Sequence, residues 1–114
     1  MVYCENDNEA LGAIEAITAA GKTPGGDIAN GEIMILSFDG VNQSAINYVT
    51  ENKIHCIAEC NPLHGPRVQA IIETLEAGQI PEKLSYVDEQ IFSADKTIRE
   101  LDIEGEVYPV TILP

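Results

Sequence analysis

Ile33–Phe38 reads IMILSF, and Asp39-Gly40 follows it directly. Ser37 alone interrupts the apolar run, and turn residues bound it on both sides. A short apolar run without alternation predicts a strand buried on both faces, as in a parallel sheet. Upstream, Asn6-Asp7-Asn8 supply capping side chains. Ala10–Gly21 then places Leu11, Ile14 and Ile17 on one face, with Ala10 and Ala13 beside them and Gly21 as a stop. That pattern predicts a helix. Lys22–Glu32, KTPGGDIANGE, is a loop by its Gly, Pro and Asn content. Downstream, Ile46 and Val49 predict a helix over Asn42–Glu51, and Ile54–Ala58 a short strand broken by Asn61-Pro62. Val68, Ile71, Ile72 and Leu75 share one face of a third helix over Arg67–Ala77, stopped by Gly78. Val2–Cys4 is a very short apolar piece, Leu84–Val87 a weak strand, and Val107–Leu113 a final strand that Pro109 assigns to an edge. The order β-α-β-α-β-α-β plus a tail predicts an α/β fold: a parallel sheet with helices on both faces.

In such folds ligands bind beyond the carboxyl ends of strands. Three polar segments follow a strand directly: Glu5-Asn6-Asp7, Asp39-Gly40 and Glu59-Cys60-Asn61. Amides and carboxylates accept and donate in pairs, which suits an uncharged, hydroxyl-rich molecule such as a sugar. Apolar or aromatic faces usually cover the ring. The candidate contacts are Asn6, Asp7, Asp39, Glu59, Cys60 and Asn61. Helix capping competes for some of them. Asp7 or Asn8 could cap the first helix and Asp39 the second. Asp7 leans to capping, whereas Asn6 and Asp39 lean to ligand contact because two strand ends converge there.

Composition narrows the function classes. The chain has 114 residues, one ordinary domain by length. Nineteen Asp plus Glu against six Lys plus Arg give a net charge of −13. Such a surface repels nucleic-acid phosphates and anionic lipids. The cysteines, Cys4, Cys56 and Cys60, form no CxxC pair. Cys56 and Cys60 would share a strand face while His55 points the opposite way, so no zinc site is expected. Free, partly buried thiols are expected instead, which taken alone favours a reducing environment. No nucleophile elbow, P-loop or dinucleotide fingerprint occurs. Gly21–Gly26, GKTPGG, contains Gly-Lys-Thr without the Gly and the strand that should precede it. Cys60 and His64 flank a turn containing Pro62 and do not make an assured nucleophile pair. No catalytic residue, cofactor or metal is expected. The start, MVYCENDNEALG, carries no signal peptide, and no stretch approaches a membrane span.

Three segments in order, ENDNEALGAIEAITAAG, IMILSFDGV and IAECNPLHGP, resemble the C-terminal portion of the type I periplasmic sugar-binding proteins. The likeness is strongest to the ribose-, galactose- and galactofuranose-binding branch. The first resembles that family's ND-x-x-ALGA-x-x-A segment and the second its FDG segment. Glu59-Cys60-Asn61-Pro62 resembles a stretch typical of the galactofuranose-like members. The resemblance covers about residues 1–92. It implies two α/β lobes joined by three crossing strands, with the sugar held between them. Asn6 and Asp39 would hydrogen-bond the sugar, and Glu59, Cys60 or Asn61 would add a polar contact. Residues 1–38 would belong to the C-terminal lobe, 39–40 to a crossing, 41–87 to the N-terminal lobe, 88–92 to a second crossing, and 93–114 to a tail returning to the first lobe.

The implied function is the sugar-binding component of an ABC-type importer, not an enzyme. Its partners would be a monosaccharide (a pentose or hexose, furanose forms included) and a membrane permease, with no nucleic acid. The full-length protein would be periplasmic, or extracellular and membrane-anchored. The alternative is the effector-binding domain of a LacI-type transcription repressor, which carries an ND-x-x-ALGA-like segment too. The IAECNP segment favours the transporter, and a stand-alone interaction protein derived from the family is a third class. Two departures matter. A whole member needs roughly 250–300 residues, about two domains. Ser93–Pro114 does not match the family end. A part of such a protein should have open sheet edges and exposed apolar faces, so a homo-oligomer is expected, with weak or absent sugar binding by this chain alone.

Overall fold

The computed structural model describes residues 1–113. The apolar run becomes strand β2 (Ile35–Asp39). It starts at Ile35 because Ile33 is taken by the preceding loop, where its N–H donates to Thr23 O at 2.9 Å. On one side β2 pairs parallel with β1 (Val2–Tyr3), and on the other parallel with β3 (Cys56–Glu59). The β2–β3 register sets Leu36 opposite Cys56 and Asp39 opposite Glu59. β4 (Ile91–Ser93) adds antiparallel to β3, and β7 (Thr111–Ile112) adds parallel to β4, giving the order β1-β2-β3-β4-β7. β5 (Glu100–Ile103) and β6 (Glu106–Pro109) form a separate hairpin. Glu104 and Gly105 both have positive φ in its two-residue turn, as the strand twist requires.

Helix α1 (Asp7–Ala19) starts at Asn6, whose Oδ1 accepts from Glu9 N–H at 2.9 Å. It stops at left-handed Gly21, where Lys22 N–H reaches Ile17 O and Gly21 N–H reaches Thr18 O. Helix α2 (Gln43–Thr50) repeats the design with Asn42 as its cap and Asn52, φ 55°, as its left-handed terminator. Ala10, Ile14 and Ile17 of α1 and Ala45 and Val49 of α2 pack on Cys4, Ile35 and Ile57 in one core. Fully burying one such side chain contributes about 1.5–3 kcal/mol.

The α/β class stands, with two corrections. The sheet is mixed, since β4 runs antiparallel. α1 and α2 share one face, because Cys4, Ile35, Ser37 and Ile57 alternate toward them. The opposite face carries no helix among the described residues: Tyr3 is 62% exposed and Phe38 38% exposed, their rings edge to face at 5.6 Å. The third helix, α3 (Gly65–Glu76), forms but buries no residue. Val68, Ile71, Ile72 and Leu75 remain 51%, 43%, 49% and 56% exposed. The outline is correspondingly long, 61 × 29 × 24 Å. Its radius of gyration is 17.7 Å, against about 13 Å for a compact domain of about 100 residues.

At 39–40, where a crossing is expected, the body shows no break. β3 pairs with β2, and α2 joins the same core as α1, so the chain stays in one body through Glu59. It departs after Glu59 into α3 and re-enters the sheet at Ile91. Leu84–Val87 is not a strand. Phe92 and its neighbours take that place, because Phe92 packs on the core. The single strand expected over Val107–Leu113 is two: β6 ends at Pro109, Val110 turns into the core, and β7 follows.

Candidate functional site

The carboxyl ends of β1 and β2 open onto one shallow concavity of about 900 Å³, lined in part by Asn6, Asp39, Val41, Asn42 and Gln43. Asn6 and Asp39, from different strands, share it. The cap bond uses one acceptor position of the Asn6 amide, so the amide keeps its two donors for other partners. Asp39 has φ 87°, a left-handed conformation costly for a residue with a Cβ. Its carbonyl accepts from Cys60 N–H at 2.9 Å, while its side chain lines the opening. Gly40 follows at φ 67°, which favours glycine, and a Cβ there would sit 3.1 Å from the Phe92 ring, which would have to give by a few tenths of an ångström.

Asp7 is held differently. It is 3% exposed. Its carboxylate accepts from Gly40 N–H at 3.2 Å, Val41 N–H at 2.9 Å and Asn42 N–H at 2.7 Å. It therefore does not cap the helix it begins, but fixes the loop that enters α2. Asn6 caps α1, and Asn42 rather than Asp39 caps α2, accepting from Ser44 N–H at 2.9 Å. Ser37 is the second tie. It is 2% exposed, and its hydroxyl donates to Asn6 O at 3.1 Å.

The third strand end goes elsewhere. Glu59 N–H donates to Gln90 O and Gln90 N–H returns to Glu59 Oε2, both at 2.8 Å. Asn61 N–H donates to Glu89 Oε1 at 3.0 Å, and Asn61 Oδ1 accepts from Leu63 N–H. Glu59 and Asn61 thus clasp the departing segment to the returning one, Cys60 N–H bonds back to Asp39 O, and none of the three lines the Asn6–Asp39 concavity. Glu59 borders instead a groove shared with Tyr86, Asp88 and the β5–β6 hairpin. Sequence reading missed Asn42 and Gln43 in the concavity, although an Asn directly after Asp39-Gly40-Val41 is itself a cap signal.

The cysteines are unpaired: Cys4 is buried, Cys56 partly buried and Cys60 exposed. Burial pushes the Cys56 thiol pKa up, and burial followed by the nearby Glu9 charge does the same for Cys4. Among the described residues no group of three or more His, Cys, Asp or Glu could hold a metal ion, and no helix is long and apolar enough to cross a membrane.

No family model matches the chain. The galactofuranose-binding protein YtfQ of Escherichia coli K12 is 33% identical over 103 residues, covering 90% of this chain and 30% of that protein. A Mycobacterium smegmatis structure in complex with β-D-fucofuranose superposes with a TM-score of 0.68 at 32% identity, covering 82% of this chain and 29% of that one. The chain belongs to the type I periplasmic sugar-binding proteins. The fructose import binding protein FruE of Bifidobacterium longum NCC 2705 is 24% identical over 94% of the chain and 30% of its own length. The periplasmic binding component of the arabinose ABC transporter from Shewanella sp. ANA-3, bound to α- and β-L-arabinofuranose, gives a TM-score of 0.66 at 30% identity, covering 82% of this chain and 30% of that one. The chain thus spans about 30% of the length of its relatives. Its sheet is part of the family's periplasmic-binding-protein type I fold.

Proposed function

We propose that the concavity at the ends of β1 and β2 is one wall of a monosaccharide site, and that the whole protein is the sugar-binding component of an ABC-type importer. The supporting observation is the meeting of Asn6 and Asp39 at one opening, with Asp7 and Ser37 beside them buried and spent on backbone. A carboxylate accepts from sugar hydroxyls and an amide NH₂ donates to them, and charge-assisted bonds of this kind are the stronger ones. The net charge of −13 suits a neutral ligand. Furanose sugars are the favoured class, because similar proteins are named for galactofuranose or bound to fucofuranose and arabinofuranose. Glu59 and Asn61 act in this reading as the clasp of a crossing, and Cys60 as a tie back to Asp39, rather than as sugar contacts.

The α3 arm, reached across Cys60–His64 and left across Asp88–Gln90, belongs in this reading with a second lobe that supplies the remaining contacts. The exposed stripe of α3 and the uncovered sheet face make the isolated chain a homo-oligomer. The whole protein works outside the cytoplasmic membrane with a permease. The repressor reading is not favoured, since the relatives above are named as binding and import proteins. The same names support a non-catalytic role.

Residue-resolved NMR titration of the 114-residue chain with methyl α-L-arabinofuranoside tests the reading. One wall of a site binds weakly, in the millimolar range by order of magnitude. Saturable shifts confined to residues 5–9 and 39–43, larger than with the matching pyranoside, are expected. No saturable shift there at the highest soluble concentration, or shifts centred on residues 86–91, would contradict it.

A further inference from the structure

We infer that Asp7 is a positioning residue: its buried carboxylate, by taking the amides of Gly40, Val41 and Asn42, holds Asp39 in its left-handed conformation with the side chain at the concavity. The inference deepens the sugar-site reading and rests on it. A left-handed conformation is disfavoured for a residue with a Cβ, though less for Asp than for most, and it persists where the surroundings hold it. Asp39 at φ 87° and Gly40 at φ 67° are consecutive, and this geometry turns the next amides toward one point. Successive N–H groups converging in a turn make a small anion-binding nest. The anion here is the chain's own Asp7, at 3.2, 2.9 and 2.7 Å from the three nitrogens. Were Asp39 to relax to negative φ, these donors would lose a buried, charged acceptor, and hydrogen bonds to charged groups are the stronger ones.

The placement is reciprocal. Asp7 follows Asn6 and secures the residues after Asp39, while Ser37 precedes Asp39 and secures the carbonyl of Asn6. Each candidate sugar contact is thus set by a buried neighbour of the other. Asp7 itself borders the concavity, but it is 3% exposed and its carboxylate already accepts three backbone N–H groups.

The test joins a spectroscopic reading to an affinity cycle. In the unsubstituted chain, the one-bond Cα–Hα coupling of Asp39 should report positive φ, and the amides of Gly40, Val41 and Asn42 should exchange slowly with solvent. Fast exchange at all three would overturn the inference without any variant having to fold. In Asp7→Asn the Asp39 coupling should shift to negative φ, whereas Ile17→Val, which loosens α1 through its core, should leave it in place. An unchanged coupling in Asp7→Asn would overturn the inference. Affinity for methyl α-L-arabinofuranoside should fall about tenfold in Asp7→Asn, yet less than about twofold when Asp39→Asn is already present. Equal losses in both backgrounds would mean that Asp7 does not act through Asp39. If Asp39→Asn alone leaves affinity unchanged, the sugar-site reading fails, and the coupling still decides the role of Asp7.

Discussion

Helices α1 and α3 carry similar apolar periodicity but have opposite fates. α1 sets Ala10, Ile14 and Ile17 against the sheet, where they are buried. α3 sets Val68, Ile71, Ile72 and Leu75 on one face, and about half of each remains in solvent. Periodicity states that a helix needs an apolar partner, not that the partner lies in the same chain. The body holding α1 builds the strand-end concavity. The arm holding α3 joins it across the segments clasped by Glu59 and Gln90.

The contrast is broken most strongly by truncating equivalent apolar side chains. Ile35→Ala or Ile57→Ala, both fully buried, should cost about 2–5 kcal/mol in urea unfolding. Ile71→Ala on the arm should cost no more than about 0.5 kcal/mol at protein concentrations where the chain is monomeric. A comparable cost on the arm would mean that α3 is covered.

The edge of the body comes next. Gly40→Ala adds a Cβ at φ 67° and 3.1 Å from the Phe92 ring. It should cost about 1–3 kcal/mol in the same measurement. A neutral effect would show that the loop after β2 is free to move, which the three bonds to Asp7 forbid.

The arm is then examined by itself. Val68→Lys with Ile72→Lys should shift sedimentation of the chain from oligomer toward monomer and leave body stability within about 0.5 kcal/mol. A compact monomer before substitution would contradict the expected self-association.

The smallest effect concerns the thiols. Cys60, exposed where the arm departs, should be alkylated fastest, with Cys4 and Cys56 slow until the chain unfolds. The folded state raises the thiol pKa of Cys4 and Cys56 above the ordinary 9.0. It therefore keeps protons that the unfolded chain gives up. Their contribution is intact below pH 9 and is lost as pH rises through the elevated values, so stability should decline on the alkaline side. Rising stability above pH 9 would refute the burial of these groups.

The body was largely legible in the sequence, for local reasons. Asn6 before an apolar helical pattern and Gly21 after it fix α1 at both ends. The IMILSF run read correctly as a strand, though it is covered on one face and not on both, and the strand-end rule brought Asn6 and Asp39 together. What failed depended on long-range partners. Asp7 has the same capping chemistry as Asn6, and only the fold reveals that its acceptors serve amides more than thirty positions away. Glu59 and Asn61 have the right polarity for a ligand, and only the fold reveals that the Glu59 carboxylate accepts from Gln90 N–H and that Asn61 Oδ1 accepts from Leu63 N–H. A turn inside one sheet, such as Asp39-Gly40, and a departure from it, as after Glu59, have the same local composition, so the sequence does not tell them apart. β4 was missed because a three-residue strand has no periodicity to read.

The most direct measurement compares two carboxylates that sit side by side in the β2–β3 register. Affinity for methyl α-L-arabinofuranoside should fall at least about tenfold in Asp39→Asn, the loss of one charge-assisted hydrogen bond. In Glu59→Gln, whose carboxylate serves the Gln90 amide, it should change less than about twofold on the same scale. The reverse order, with Glu59 decisive and Asp39 neutral, would place the ligand at the crossing and remove the Asn6–Asp39 wall from the account.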